Sequence, residues 1–214
     1  MSTWRAFCET LHLVVLGLWL GTLVAVGAAA AVMFPAMKAL NVRLVDFPGG
    51  AGDGSDHYRI AAGRIAERVF LVGDIIMFPC ALIAAATLGV LIVFHRIPVA
   101  RPAAIIRSLA MGVALASLAA LLLIVTPGVN RGAQGHFAAA KIGDVAAAQK
   151  HMAAVDDLHP IATNLMTIEF LSVFIALACG AWSLARPYAR ISPATPSVPR
   201  YEEPALTRGG GKRA

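Results

Sequence analysis

The sequence predicts an all-α integral membrane protein, folded as a four-helix antiparallel bundle. Hydrophobic residues make up 58% of the 214 residues, and the mean hydropathy is +0.73, which is more apolar than an ordinary soluble domain. Four apolar runs are each long enough to cross a hydrocarbon core of about 30 Å. Basic residues flank these runs without forming an aromatic-rich stripe, so the formal charge of +6 predicts membrane topology and no nucleic-acid partner.

The first predicted span covers residues 11–35 and contains no charged side chain. Gly17 and Gly21 are four residues apart, so they lie on one helix face, and small residues allow another helix to approach closely in lipid. We therefore predict that another helix packs against this face. A second copy of the chain, in a homodimer, is one candidate for that helix. His12 and Trp19 are seven residues apart and share a second face.

The other three spans are predicted at residues 69–94, 103–126 and 163–185. Pro79 lies inside the second span and predicts a kink, because proline cannot donate a helical hydrogen bond. Gly112 belongs to a second stripe of small residues in the third span, which is predicted to end at Pro127-Gly128.

The remaining segments predict two further features. Residues 130–162 are rich in alanine with apolar residues on one side, which is typical of an amphipathic surface helix, here on the extracytoplasmic side. Residues 187–214 are basic and rich in proline and glycine, which is typical of a disordered tail. The membrane domain is therefore predicted to be residues 1–186.

The distribution of lysine and arginine predicts how the chain is oriented. The short turn between the second and third spans is counted with Arg96, Arg101 and Arg107, and it carries its charge at the membrane, where the positive-inside rule is strongest. We therefore predict a multi-pass protein of the bacterial cytoplasmic membrane, with both termini in the cytoplasm.

Two carboxylates lie inside predicted spans, where an ionisable group costs about 3 kcal/mol and needs a partner or a function. Asp74 and Glu169 are expected at similar depth in the outer half of the bilayer. His159 lies at the start of the fourth span, and imidazole with carboxylates suits a divalent metal. The pattern predicts a pocket for a small cation or metal formed by Asp74, Glu169 and His159; carboxylates hydrogen-bonded for structure alone are the alternative.

His12 suggests a different chemistry. A histidine near a helix end, one turn after Glu9 and two turns before an aromatic residue, is a candidate ligand of haem iron between helices. His95 is expected on the same side of the membrane but lies in a basic turn.

Two resemblances to known families bear on these residues. His12, Trp19, Gly21 and the closing Phe34-Pro35 resemble the first span of the CopD-like group, which includes copper-resistance protein D and HemJ-type proteins. That resemblance implies that His12 is a haem ligand. The four-span layout, with Leu158-His159 followed by Asn164, resembles the uncharacterised family of transmembrane protein two-hundred-and-five.

Three functions therefore remain open from the sequence. The first is non-enzymatic handling of a small cation or divalent metal, the second is a haem-binding redox protein using His12, and the third is a structural subunit of a larger membrane complex. No Gly-rich phosphate loop is found, and no catalytic residue is assigned.

Overall fold

The computed structural model describes residues 3–47, 57–94 and 102–185, and these residues form helices joined by turns. Residues 48–56, the predicted basic turn with His95, and the predicted tail 187–214 lie outside the described residues. The elements are α1 (Thr3–Ala39), α2 (His57–Val93), α3 (Pro102–Ala120), a π-helical turn (Leu121–Val125), α4 (Thr126–Lys141) and α5 (Val145–Ala185).

Four of these helical stretches are long and apolar enough to cross a membrane: α1, α2, the continuous stretch Pro102–Lys141, and α5. The predicted all-α four-helix membrane bundle is therefore confirmed. The stretches contain 37 to 41 residues. At 1.5 Å per residue each is about 55 to 60 Å long, so each extends well beyond a hydrocarbon core of about 30 Å.

The bundle is antiparallel, and α1 packs against both α2 and α5, while α3 packs against α5. The N-terminal half of α1 contacts the C-terminal parts of α2 and α5 and the beginning of α3. Both ends of the described chain therefore lie at one end of the bundle, here called the N-terminal end. The main core between the helices is made of aliphatic, sulfur-containing and small residues with one tryptophan, including Leu16, Trp19, Leu23, Met77, Cys80, Ala81, Ala84, Met111, Ala114, Val173 and Ala176.

The third long helix does not end at Pro127-Gly128, where the sequence predicts its end. It passes through the π-helical turn and continues as α4 to Lys141. Pro127 has no N–H for the carbonyl four residues earlier, and its ring crowds that carbonyl. A π-helical turn directly before the proline widens the helix at this point. The helix therefore accommodates the proline and continues.

The structure divides the predicted surface helix 130–162 into two arms of a helical hairpin. Its first part is the end of α4 and its second part is the beginning of α5, separated by a turn at Gly143, whose φ is +76°. Glycine adopts this left-handed conformation without steric cost. The Asp144 carboxylate then accepts a hydrogen bond from the Ala147 N–H at 3.0 Å and caps α5.

The hairpin packs onto the beginning of α2 beyond the main core. Phe137 is buried with Ile60, Ala140 and Ala148, and the Arg64 guanidinium lies 4.3 Å from the centre of the Phe137 ring. This second small core holds the protruding helix ends together. The bundle therefore carries a helical cap at the end opposite the N-terminal end.

Candidate functional site: two buried polar layers

Glu169 is the most unusual side chain in the main core. It has no exposed surface, and its Oε1 accepts a hydrogen bond of 2.7 Å from the Trp19 indole Nε1. Its Oε2 is buried and has no hydrogen-bond partner among the residues that the structure describes. A buried carboxylate charge with an oxygen that lacks a partner is costly, so this oxygen is a candidate position for a proton or a cation.

Trp19 and Glu169 meet because the inward faces of α1 and α5 are complementary. On α1 the buried positions recur at helical spacing and include Leu16, Trp19 and Leu23. On α5 the buried residues after Glu169 include the small Ser172, Ala176 and Gly180. These small residues allow α1 to approach closely enough for the indole to reach the carboxylate.

Asp74 lies on α2 and is half-buried. The preceding residue, Gly73, packs so closely on α1 that an added Cβ would lie 2.7 Å from Val26 Cγ2. Asp74 is grouped with Glu169 because both are carboxylates within long apolar helices of the bundle, α2 and α5. Trp19, Asp74 and Glu169 are called the carboxylate site below.

His159 does not join this site. It is exposed on α5, ten residues before Glu169, which corresponds to about 15 Å along the helix. Within residues 3–47, 57–94 and 102–185, no group of three or more His, Cys, Asp or Glu side chains is arranged to hold a metal ion. The structure therefore does not assemble the predicted triad of Asp74, Glu169 and His159.

A second buried polar cluster lies nearer the N-terminal end and centres on His12. The His12 Nδ1 lies 3.0 Å from the Ala84 carbonyl oxygen and 2.9 Å from Thr87 Oγ1. The Thr87 hydroxyl donates to the Ile83 carbonyl at 2.7 Å. Since a carbonyl only accepts and the Thr87 hydrogen is already used, Nδ1 of His12 carries the hydrogen. This assigns the Nδ1–H tautomer to a neutral His12.

Arg107 completes this cluster from α3. Its Nε donates to His12 Nε2 at 3.4 Å, and one of its terminal nitrogens forms an ion pair with Glu9 Oε2 at 3.0 Å. Both Arg107 and Glu9 are buried. Gly180 of α5 faces the guanidinium, since an added Cβ would lie 3.5 Å from Arg107 Cζ. Glu9, His12, Thr87 and Arg107 are called the arginine layer below.

The arginine layer leaves no nitrogen of His12 free to bind iron. Nδ1 donates to α2, Nε2 accepts from Arg107, and the side chain has no exposed surface. A haem ligand needs a free ring nitrogen facing a cavity of haem size. The residues around His12 therefore do not fit the haem that the sequence and the CopD-like resemblance raised as an alternative, and the structure gives His12 a hydrogen-bonding role.

The predicted small-residue stripes face away from the other helices of this chain. Gly17, Gly21 and Gly112 are exposed, and no atom of the described residues lies within 4 Å of a Cβ built on them. The close helix contacts occur at other glycines, including Gly73 and Gly180. The homodimer through Gly17 and Gly21 stays a prediction, and these residues are on the surface where a second copy would need them.

The Trp19–Glu169 hydrogen bond can be tested with a conservative change. We expect Trp19→Phe to lower the free energy of unfolding by at least about 1 kcal/mol, because it leaves both oxygens of a buried carboxylate without a donor. Thermal unfolding in detergent measures this loss. Trp4→Phe is the matched control, because Trp4 is exposed and stacks on Phe7 in a way that phenylalanine preserves. Equal stability of the two variants would contradict the assignment.

The fold and these two layers define a class, the multi-span helical membrane proteins that bury ionisable side chains between their helices. Comparisons of the chain with protein-family models, with curated proteins and with solved structures found no match. The family resemblances described above therefore stay predictions, and function is argued below from the residues themselves.

Proposed function

We propose that this multi-span membrane protein reversibly binds a proton or a small monovalent cation at the carboxylate site. The observation that supports this proposal is the buried Oε2 of Glu169, which has no partner among the described residues while Oε1 is held by Trp19. A fixed donor on one oxygen orients the carboxylate and leaves the other oxygen available for a positively charged ligand.

The balance of charge favours a ligand of charge +1. With Glu169 ionised, the site carries a negative charge in a bundle whose surroundings are apolar. One proton or one monovalent ion at Glu169 removes most of the resulting penalty. His159 takes no part, because it lies outside the site.

The two carboxylates differ in exposure. Asp74 is half-buried on α2, whereas Glu169 is fully enclosed. Burial penalises the charge of Glu169 more than that of Asp74, so Glu169 is the residue at which we place the ligand.

Infrared difference spectroscopy of the purified protein tests this proposal. A protonated carboxylic acid has a C=O stretching band that is lost when the proton leaves or a metal cation replaces it. We expect a change in pH, or the addition of sodium or potassium at constant pH, to change this band in the wild type. We expect Glu169→Gln to remove the change, because a glutamine side chain does not titrate.

Asp157→Asn is the matched control, since Asp157 is an exposed carboxylate on the same helix. Its spectrum should show the same Glu169 band as the wild type. The proposal would be overturned if the wild-type band did not respond to pH or to cations. A responding band that persists in folded Glu169→Gln protein would overturn it as well.

A further inference from the structure

We infer that a phospholipid bilayer surrounds the bundle from a belt of aromatic residues at the N-terminal end to the base of the hairpin, and that the helical cap stands in water beyond it. The lipid-contacting surface of the protein is then bounded at both ends, whatever ligand the carboxylate site binds. Side chains exposed on the helices mark both boundaries.

Aromatic side chains from three helices mark the boundary at the N-terminal end. Trp4 and Phe7 of α1 stack with their ring centres 5.7 Å apart, and Phe94 and Trp182 lie at the ends of α2 and α5. Each of the four is more than half exposed. Amphipathic aromatic rings are enriched where a membrane meets water. These four residues are called the aromatic belt below.

Contacts between the helices place the members of the belt at a similar level. His12 of α1 is hydrogen-bonded to Thr87 of α2. Trp4 lies eight residues from His12, and Phe94 lies seven residues from Thr87, which is about 12 and 10 Å toward the N-terminal end. Trp182 is three residues before the end of α5, which lies at the same end of the bundle.

Charged side chains mark the second boundary, at the base of the hairpin. Arg68 on α2 and Asp157 on α5 are both exposed. Arg68 is 26 residues from Phe94, and Asp157 is 25 residues from Trp182, which corresponds to about 39 and 38 Å along the helices. A bilayer with its headgroup regions is about 40 to 45 Å thick. The two boundaries are therefore separated by nearly the full thickness of a bilayer.

The surface between the boundaries suits lipid. Its exposed large side chains on α2 and α5 are apolar, including Val72, Ile75, Phe78, Leu82, Ile168, Leu171, Phe174 and Ile175. Glu169 is 12 residues from Asp157 and 13 residues from Trp182, so it lies close to the middle of the bilayer. A charge is most costly there, and Glu169 is fully enclosed by the bundle.

Two exposed threonines on α5 are also compatible with lipid. The Thr167 hydroxyl donates to the Thr163 carbonyl at 2.8 Å, and the Thr163 hydroxyl donates to the His159 carbonyl at 2.9 Å. A hydroxyl in hydrocarbon has no water to bond, and these two have acceptors within their own helix. Their exposure therefore does not require water at this part of α5.

The cap beyond the second boundary suits water. The apolar sides of its arms are used inside the cap, where Gly132 packs on Val155 and Phe137 packs on Ile60. Polar and charged side chains are exposed on the outside, including Arg131, Gln134, Lys141, Gln149, Lys150 and Asp156. A helix that lies on a membrane needs an apolar face toward the lipid. The twelve residues of α5 before Asp157 therefore project by about 18 Å.

Spin labels at two matched alanines test the position of the bilayer. Ala116 on α3 and Ala153 in the cap are both exposed on helices. Each is changed to cysteine in the full chain carrying Cys8→Ala, Cys80→Ala and Cys179→Ala, and the protein is reconstituted in phosphatidylcholine vesicles. Oxygen concentrates in lipid, and a nickel chelate stays in water. We expect the ratio of relaxation by the chelate to relaxation by oxygen to be several-fold higher for Ala153→Cys than for Ala116→Cys.

An equal ratio at the two positions would overturn the inference, because the cap would then lie in the same environment as the spans. A higher ratio at Ala116→Cys would overturn it as well. Size-exclusion profiles like that of the wild type show that the labelled variants are folded.

The aromatic belt can be tested in the wild type without any cysteine change. The chain contains three tryptophans, and Trp19 is buried. Bromine on a lipid chain quenches tryptophan fluorescence by contact. We expect lipids brominated near the headgroup to quench more strongly than lipids brominated near the chain end. Stronger quenching by the chain end would place the belt in the hydrocarbon core and overturn the boundary.

The double variant Trp4→Phe with Trp182→Phe is the control for this measurement. It retains only Trp19, which the bundle shields from lipid, so quenching by both lipids should be lost. Quenching that persisted in the folded double variant would show that the signal comes from Trp19, and it would overturn the assignment of the belt.

Discussion

Replacing Arg107 with glutamine is expected to lower the free energy of unfolding by about 3 to 5 kcal/mol, the largest loss among the changes considered. The reason is that Glu9, of which only 2% is exposed, would keep its charge without its 3.0 Å partner. His12 would lose the donor to Nε2 at the same time. Thermal unfolding or titration with a denaturing detergent measures this loss.

A double-mutant cycle separates the pairing of charges from the packing of long side chains. Glu9→Gln alone should also be strongly destabilising, because it leaves the buried Arg107 charge unpaired. The double variant should lose less than the sum of the two single losses, because neutral residues replace both charges together. Arg131→Gln is the control, since Arg131 is exposed on α4. An effect of Arg107→Gln within about 0.5 kcal/mol of this control would show that the ion pair contributes nothing.

The four long helices could be predicted from the sequence because their cause is local. A run of more than 20 apolar residues is stable in few places other than a bilayer. Within the bilayer, a helix satisfies all the backbone hydrogen bonds of such a run. The end of the third helix was less predictable. Pro127-Gly128 is a strong local stop signal, yet packing of α4 against α5 in the hairpin outweighs it. Tertiary contacts of this kind are not visible in a single stretch of sequence.

The two polar layers differ in how far the sequence reveals them. Asp74 and Glu169 could be found because a carboxylate within an apolar run is conspicuous by itself. Trp19 could not be assigned to Glu169, since the two residues are 150 positions apart and meet only through the packing of α1 on α5. Arg107 was expected to flank the membrane like its basic neighbours. Only the structure shows it buried with Glu9 and His12.

The arginine layer also explains why a histidine pattern is a weak indicator of function. The spacing of His12 and Trp19 predicts only that both side chains lie on one face of α1, and both are indeed buried there. What each side chain does depends on the helix opposite. Thr87 and the Ala84 carbonyl, both on α2, hold the Nδ1 of His12 in hydrogen bonds, and the sequence of α1 alone does not reveal these partners.

The glycines also show that a sequence pattern does not identify the residues that pack against it. One of them provides the second large expected effect. Gly132→Leu should lower the free energy of unfolding by about 3 kcal/mol, because the hairpin has no space for a side chain there. A Cβ at this position would lie 2.7 Å from Val155 Cγ2 and 3.3 Å from the His151 carbonyl oxygen. The latter is backbone inside α5 and cannot move without displacing the helix.

Gly17→Leu is the matched control, since the same residue type is replaced inside a helix but nothing among the described residues lies within 4 Å of the new Cβ. Its stability as a monomer in detergent should be unchanged or slightly higher, because leucine favours helix more than glycine does. Thermal unfolding of both variants gives the comparison. Equal losses would show that the exposed stripe is packed in the monomer. If neither variant lost stability, α4 and α5 would be farther apart than the structure places them. Loss of self-association in Gly17→Leu, with monomer stability kept, would instead support the predicted homodimer.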